Sequence, residues 1–156
     1  MIAKAVEASS FNLLLVEDHL VQARLVEAAF ATTAIVGRVH WVKDGVDALA
    51  FMRQMDYYRH KPIPDIVLLD IHMPRKNGWD VLQEAKADTT LCSIPIVMFS
   101  TACERHNVQR AYECGANMFV PKPEDVPRLR EVLIALYKFW SEVCLLPNAV
   151  SKAPAA

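Results

Sequence analysis

Short, wholly apolar runs alternate along this chain with longer segments of helical periodicity. Asn12–Val16 (NLLLV) is apolar almost throughout and bounded by acids. His19–Ala31 follows, with Leu20, Ala23, Val26 and Phe30 near the helical period. Arg38–Val42 (RVHWV) is a β-prone run, after which Asp44 offers an N-cap to a helix carrying Val46, Leu49, Ala50 and Phe51. Asp56–Asp65 holds two prolines and breaks that helix. Ile66–Leu69 (IVLL) and Ile96–Phe99 (IVMF) are again continuously apolar, separated by the loop Met73–Gly78 and a helical Trp79–Ala87. Arg105–Glu113 reads as a helix closed by Gly115, which suits a left-handed C-cap. Met118–Val120 is a last short strand, and Glu124–Leu146 a long amphipathic helix stopped by Pro147.

The order is strand then helix, five times. Strands apolar on both faces belong in a parallel sheet covered by helices on both sides. The pattern therefore predicts an α/β fold: a doubly wound five-stranded parallel sheet flanked by helices, with an extended C-terminal helix. The domain is expected over residues 10–146, with flexible tails at 1–9 and 147–156. At 1.5 Å per residue the last helix would be about 34 Å long, twice the roughly 17 Å of a five-residue strand. Its distal end carries Phe139, Trp140, Val143, Leu145 and Leu146. An apolar overhang of that kind calls for cover, either from a second copy in a two-fold homodimer or from the chain's own body; the dimer is the expectation.

Composition narrows the class. Apolar residues make up 53% and charged residues 22%, and the formal net charge is −1; no electrostatic case exists for a nucleic acid partner. No apolar run approaches the roughly 18 residues of a membrane span, and the N-terminus lacks a signal-peptide pattern. A cytoplasmic protein is expected, with Cys92, Cys103, Cys114 and Cys144 as reduced thiols. The four glycines, at 37, 45, 78 and 115, build neither a G-x-G-x-x-G nor a Walker loop.

In open parallel sheets ligands bind beyond the carboxyl ends of the strands. Glu17-Asp18, Asp70, Ser100-Thr101 and Lys122-Pro123 stand at those ends. Three carboxylates repel one another unless a cation intervenes, and hard oxygen ligands suit Mg²⁺. A carboxylate can also act as a nucleophile towards a phosphoryl group, with a lysine and a hydroxyl meeting the charge on its oxygens.

The strings LLLVEDH, DIVLLDIHMPRKNGWDVL, IPIVMFSTA and GANMFVPKP resemble response-regulator receiver domains of two-component systems, from about residue 11 to residue 140. The resemblance implies the flavodoxin-like (βα)5 fold of receivers and a role for each matching residue. Asp70 is the phosphoacceptor. Asp18 and Asp70 ligate Mg²⁺ directly, with Glu17 acting through water and the His72 backbone carbonyl as a further ligand. Ser100 binds a phosphoryl oxygen and couples to Phe119, the aromatic switch, which moves inward. Lys122 pairs with the phosphate, and the Lys122–Pro123 bond is cis. The segment DYYRHKPIPD, the threonine after Ser100 and the late FWSEVCLLP are similar to single-domain receivers paired with bacterial phytochrome kinases, which implies a sensor histidine kinase of that type as phosphodonor.

On this reading the protein is a signalling switch without an attached output domain, acting through its α4-β5-α5 face. It is not an enzyme beyond its own phosphorylation and dephosphorylation. A metal-dependent aspartyl-phosphate phosphatase is the rival, but such enzymes use a second acid two residues past the nucleophile, where this chain has His72. A binding-only module is disfavoured by the complete set of acids and Lys122. The His72 side chain reads as a loop residue near the pocket rather than a ligand.

Overall fold

Five strands form one parallel sheet in the order β2-β1-β3-β4-β5 in the computed structural model, which describes residues 10–148. Of the tails expected at 1–9 and 147–156, all but Pro147 and Asn148 lie outside the described residues. In chain order the elements are β1 (Phe11–Val16), α1 (Leu20–Ala31), β2 (Gly37–Val42), α2 (Gly45–Met52), β3 (Ile66–Leu69), α3 (Gly78–Ala87), β4 (Ile96–Ser100), α4 (Arg105–Glu113), β5 (Met118–Pro121) and α5 (Val126–Lys138). A 3₁₀ turn at Asp56–Tyr58 lies within the break between α2 and β3. This is the doubly wound arrangement that the alternation predicts.

Side chains alternate across a strand, so the apolar runs divide into two cores. Leu14, Val16, Val67, Leu69, Ile96 and Met98 face α2 and α3, packing with Phe51, Trp79, Val81 and Leu82. Leu13, Leu15, Ile66, Leu68, Val97 and Phe99 face α1 and α5, packing with Val26, Phe30, Leu133 and Tyr137. The edge strand β2 is only partly covered, which is why its sequence is mixed.

Local signals act where they stand. Asp44 caps α2 by accepting the N–H groups of Val46 and Asp47 at 2.9 and 3.0 Å. Gly115 follows α4 at φ +92°, a backbone conformation that side-chain-bearing residues avoid. Asp125 caps α5 through the Arg128 N–H at 2.8 Å, so that helix starts at Val126 rather than Glu124.

The end of the last helix differs from the sequence reading. Regular α-helix stops at Lys138, and Phe139–Val143 continue as a π-helical turn. Here Ser141 Oγ bonds back to the Tyr137 carbonyl at 2.7 Å, and Cys144 N–H reaches the Phe139 carbonyl at 3.1 Å. Such a turn arises where side chains perturb the regular ladder. Cys144 is extended, and Leu146 returns to the α1–α5 core together with Trp140. Asn148 continues the contact, donating to the Ile63 and Pro64 carbonyls at 3.3 and 3.2 Å. The expected five-residue overhang is thus divided: Trp140 and Leu146 are covered by their own domain, while Phe139, Val143 and Leu145 remain exposed.

Candidate functional site

Three connections bring the strand ends together. The Asp70 N–H donates to the Val16 carbonyl at 3.1 Å, which aligns the end of β3 with the end of β1. Glu17 N–H continues the ladder to Val42 at 3.1 Å, and Lys122 N–H donates to Ser100 at 2.9 Å. With β3 paired to β4 as well, four separate stretches of sequence bring Glu17, Asp18, Asp70, Ser100 and Lys122 to one rim.

Asp70 is held from both sides. Its Oδ1 accepts the N–H of Ile71 at 2.7 Å, which leaves Oδ2 to face Lys122 Nζ at 3.3 Å. Behind it the chain doubles back so closely that a Cβ on Gly78 would stand 2.1 Å from the Asp70 carbonyl oxygen. Glycine is required there by space rather than by its dihedral angle.

Glu17 is buried, a costly place for a carboxylate. Burial pushes its carboxyl up from the usual range, against the hydrogen bond and charge of Lys122. Its Oε2 accepts from Lys122 Nζ at 2.6 Å, its Oε1 from the His19 N–H at 3.1 Å, and its carbonyl from Trp41 Nε1 at 2.7 Å. Lys122 is itself buried, as lysine rarely is unless paired, and its Nζ lies 5.4 Å from the centre of the Phe99 ring. Gln22 adds a third acceptor, Oε1 at 2.7 Å.

Asp18 completes the cluster. One carboxylate oxygen each from Glu17, Asp18 and Asp70 lie within 4.8 Å of one another. Asp18 Oδ1 is buried and has no hydrogen-bond partner, an expensive condition for an anionic oxygen. Lys122 compensates one of the three negative charges. Two uncompensated charges and an orphaned oxygen suit a hard divalent cation held by carboxylates.

Ser100 is fully buried, and its Oγ accepts the Ala102 N–H at 3.2 Å. Phe119 is buried in the core on the α2–α3 side, and its N–H donates to the Tyr112 hydroxyl at 3.1 Å. Its ring is buried among the apolar residues of that core. The His72 side chain is exposed. The Lys122–Pro123 bond is trans rather than cis; trans is the lower-energy isomer of an X–Pro bond by about 0.5–1 kcal/mol.

Three contributors escape a reading of the sequence: Gln22, Trp41 and Tyr112. Gln22 carries a faint signal, a polar residue three and four positions before Leu25 and Val26, which line the same cleft beside Lys122. Trp41 and Tyr112 carry none beyond their β-strand and helix positions.

A parallel α/β sheet with an acidic, metal-capable cluster and a buried lysine at its strand ends defines a class of phosphoryl-handling signalling domains. Residues 13–134 match the response regulator receiver domain, and the chain belongs to that family. It is 34% identical over 137 residues to the response regulator Rcp1 of Synechocystis sp., covering 88% of this chain and 93% of that protein. The structure of the phosphorylated cyanobacterial phytochrome response regulator RcpA superposes with a TM-score of 0.85 at 32% identity, over 89% of this chain and 99% of that one. The Mn²⁺-bound form of Rcp1 gives 0.83 at 33% identity, over 88% and 99%. Among the described residues no helix is long and apolar enough to cross a membrane.

Proposed function

We propose that this receiver is switched by transfer of a phosphoryl group from a phosphohistidine of a sensor histidine kinase to Asp70. The observation that carries this is the convergence of Asp70, whose Oδ2 faces the buried Lys122 ammonium at 3.3 Å, with the carboxylates of Glu17 and Asp18 in one cluster. In the transfer, Asp70 Oδ2 forms a bond to phosphorus as the phosphorus–nitrogen bond of the donor breaks. The electron pair returns to the imidazole nitrogen, and the product is an acyl phosphate. Lys122 meets charge on the transferred oxygens, and Ser100 Oγ, one hydrogen bond away from a free rotamer, supplies a second donor.

Glu17, Asp18, Asp70 and the His72 backbone carbonyl are the residues that would hold Mg²⁺. When bound, it supplies charge neutralisation at the acids and at the phosphoryl oxygens. The orphaned Asp18 Oδ1 supports the fit, and the Mn²⁺-bound Rcp1 structure is in keeping with it. A phosphatase reading is disfavoured by His72, whose exposed side chain offers no second acid beside Asp70.

The likeness to the phytochrome response regulator RcpA favours a phytochrome-type kinase as donor, and a cytoplasmic site of action goes with such a donor. Output runs through the face formed by α4, β5 and α5, where Ser100 and Phe119 couple the site to the surface. A homodimer through the end of α5 is supported by the exposed Phe139, Val143 and Leu145, although the covered Trp140 and Leu146 leave it a smaller apolar face than the sequence implies.

The test is incubation with acetyl phosphate, with and without Mg²⁺, of the wild type and Asp70→Asn, read by intact mass. A Mg²⁺-dependent gain of one phosphoryl group in the wild type alone is expected. No gain in the wild type, from acetyl phosphate or from a phosphorylated phytochrome-type kinase, overturns the reading. Sedimentation of the same samples reports the dimer; a 17.5 kDa particle at every concentration removes it.

A further inference from the structure

A lysine ammonium has three hydrogens to donate, and here two of them are held in short bonds while the third faces Asp70. Glu17 Oε2 and Gln22 Oε1 lie 2.6 and 2.7 Å from Lys122 Nζ, whereas Asp70 Oδ2 lies at 3.3 Å. The two short bonds point towards β1 and α1. The contact with the acceptor carboxylate is the long one, beyond the usual range of an N–H···O bond. Glu17 is immobilised by the His19 N–H. Gln22 reaches Nζ from the first turn of α1, across a cleft of about 260 Å³ that it lines with Leu25, Phe99, Thr101 and Glu124. As a neutral amide it can take one of the lysine's hydrogens without adding charge to a crowded acid cluster.

We propose that Gln22 is a positioning residue for phosphoryl transfer: its carboxamide oxygen holds Lys122 on the α1 side and competes with the phosphoryl oxygens on Asp70. The proposal rests on the assignment of Asp70 above. A phosphoryl group on Asp70 takes over the hydrogen that faces Oδ2 across the long 3.3 Å contact, and for its oxygens to come within ordinary hydrogen-bond range Nζ must move away from its two short bonds. Of those two holds the neutral carboxamide is a weaker acceptor than the Glu17 carboxylate and yields first. Gln22 thus lowers the affinity of the site for a phosphoryl group. Its removal frees one donor while Glu17 and the Phe99 ring keep the ammonium in place.

The experiment is calorimetric titration of beryllium trifluoride, a phosphoryl mimic, into the full chain at Mg²⁺ concentrations saturating for each variant. Gln22→Met keeps the volume and removes the acceptor; Gln22→Asn keeps the amide but falls a methylene short. Both are expected to bind the mimic about two- to tenfold more tightly than the wild type, the worth of one hydrogen bond. Gln22→Glu, a charged and stronger acceptor, shifts affinity the opposite way by at least as much. A packing role for Gln22 would not reverse sign between Met and Glu at equal thermal stability. Affinities that are unchanged, or that move in one direction for all three variants, overturn the proposal. Failure of the wild type to bind the mimic overturns instead the assignment of Asp70.

Discussion

The hydroxyl of Tyr112 in α4 accepts the backbone N–H of Phe119 in β5 at 3.1 Å. Few other contacts hold α4. Ala111 is its one buried residue, and the Arg110 guanidinium lies over the Trp79 ring at 4.4 Å. A helix so lightly packed can shift at small cost, and the bond from Tyr112 ties that shift to the residue packed behind the site.

Tyr112→Phe is therefore expected to cost about 0.5–1 kcal/mol, the net worth of one hydrogen bond, because Tyr112 is half exposed and water can take its place. The urea midpoint measures this. Amide exchange should quicken in α4 and at Phe119 while the α1–α5 side is unchanged; uniform acceleration would mean that the bond does not anchor α4 locally.

Gly78→Ala places a Cβ 2.1 Å from the Asp70 carbonyl oxygen and 2.9 Å from the Ile71 Cα. Backbone must move, and overpacking of this kind costs roughly 1–3 kcal/mol. Because Asp70 moves with it, phosphorylation by acetyl phosphate should fall along with the thermal midpoint. A variant as stable and as readily phosphorylated as the wild type would show that the strand end yields freely.

Asp18→Asn separates stability from metal binding. Without metal, the substitution relieves repulsion among three clustered carboxylates and gives the orphaned oxygen's group hydrogens to donate. In a chelator the variant should be more stable than the wild type by about 1 kcal/mol, since an unsatisfied buried group costs about 1–3 kcal/mol. Added Mg²⁺ should raise the wild-type midpoint through binding to the folded state and leave the variant nearly unmoved. Equal responses of the two proteins to Mg²⁺ would remove Asp18 from the ligand set.

His40 gives the acid side of the stability profile a direction. Burial, followed by the charges of Lys61 and Arg38, holds its imidazole below the ordinary 6.5, and its Nε2 lies 3.2 Å from Asn12 Oδ1. A depressed histidine is neutral in the fold while the unfolded chain takes up a proton, so its contribution is full above 6.5 and is lost as pH falls through that value towards the folded one. Urea midpoints measured from neutral to mildly acid pH should decline, and His40→Gln should flatten the decline. The same slope in both proteins would place its origin elsewhere.

Where residues meet their nearest neighbours in the chain, the sequence alone was enough. The apolar runs of β1, β3 and β4 read correctly because both faces of those strands are buried and no polar alternation is allowed. Asp44 and Gly115 act on backbone within three residues of themselves, so their types suffice to place a cap and a stop. Asp70, Glu17-Asp18 and Lys122 could be placed on one rim because strand order and parallel direction bring all carboxyl ends to the same edge.

Tertiary structure decided what depends on distant partners. Lys122 meets Gln22 across 100 positions of sequence and Glu17 across 105, and no local pattern distinguishes a glutamine that reaches a lysine from one that faces water. The last helix reads as one amphipathic run to Leu146. Its regular part ends at Lys138 because Trp140 and Leu146 can be buried only by unwinding a turn and folding back on α1 and the sheet. Phe119 is buried for the same kind of reason: the core it joins includes Met98 of β4 and Ala111 of α4, which come together only once the chain has folded.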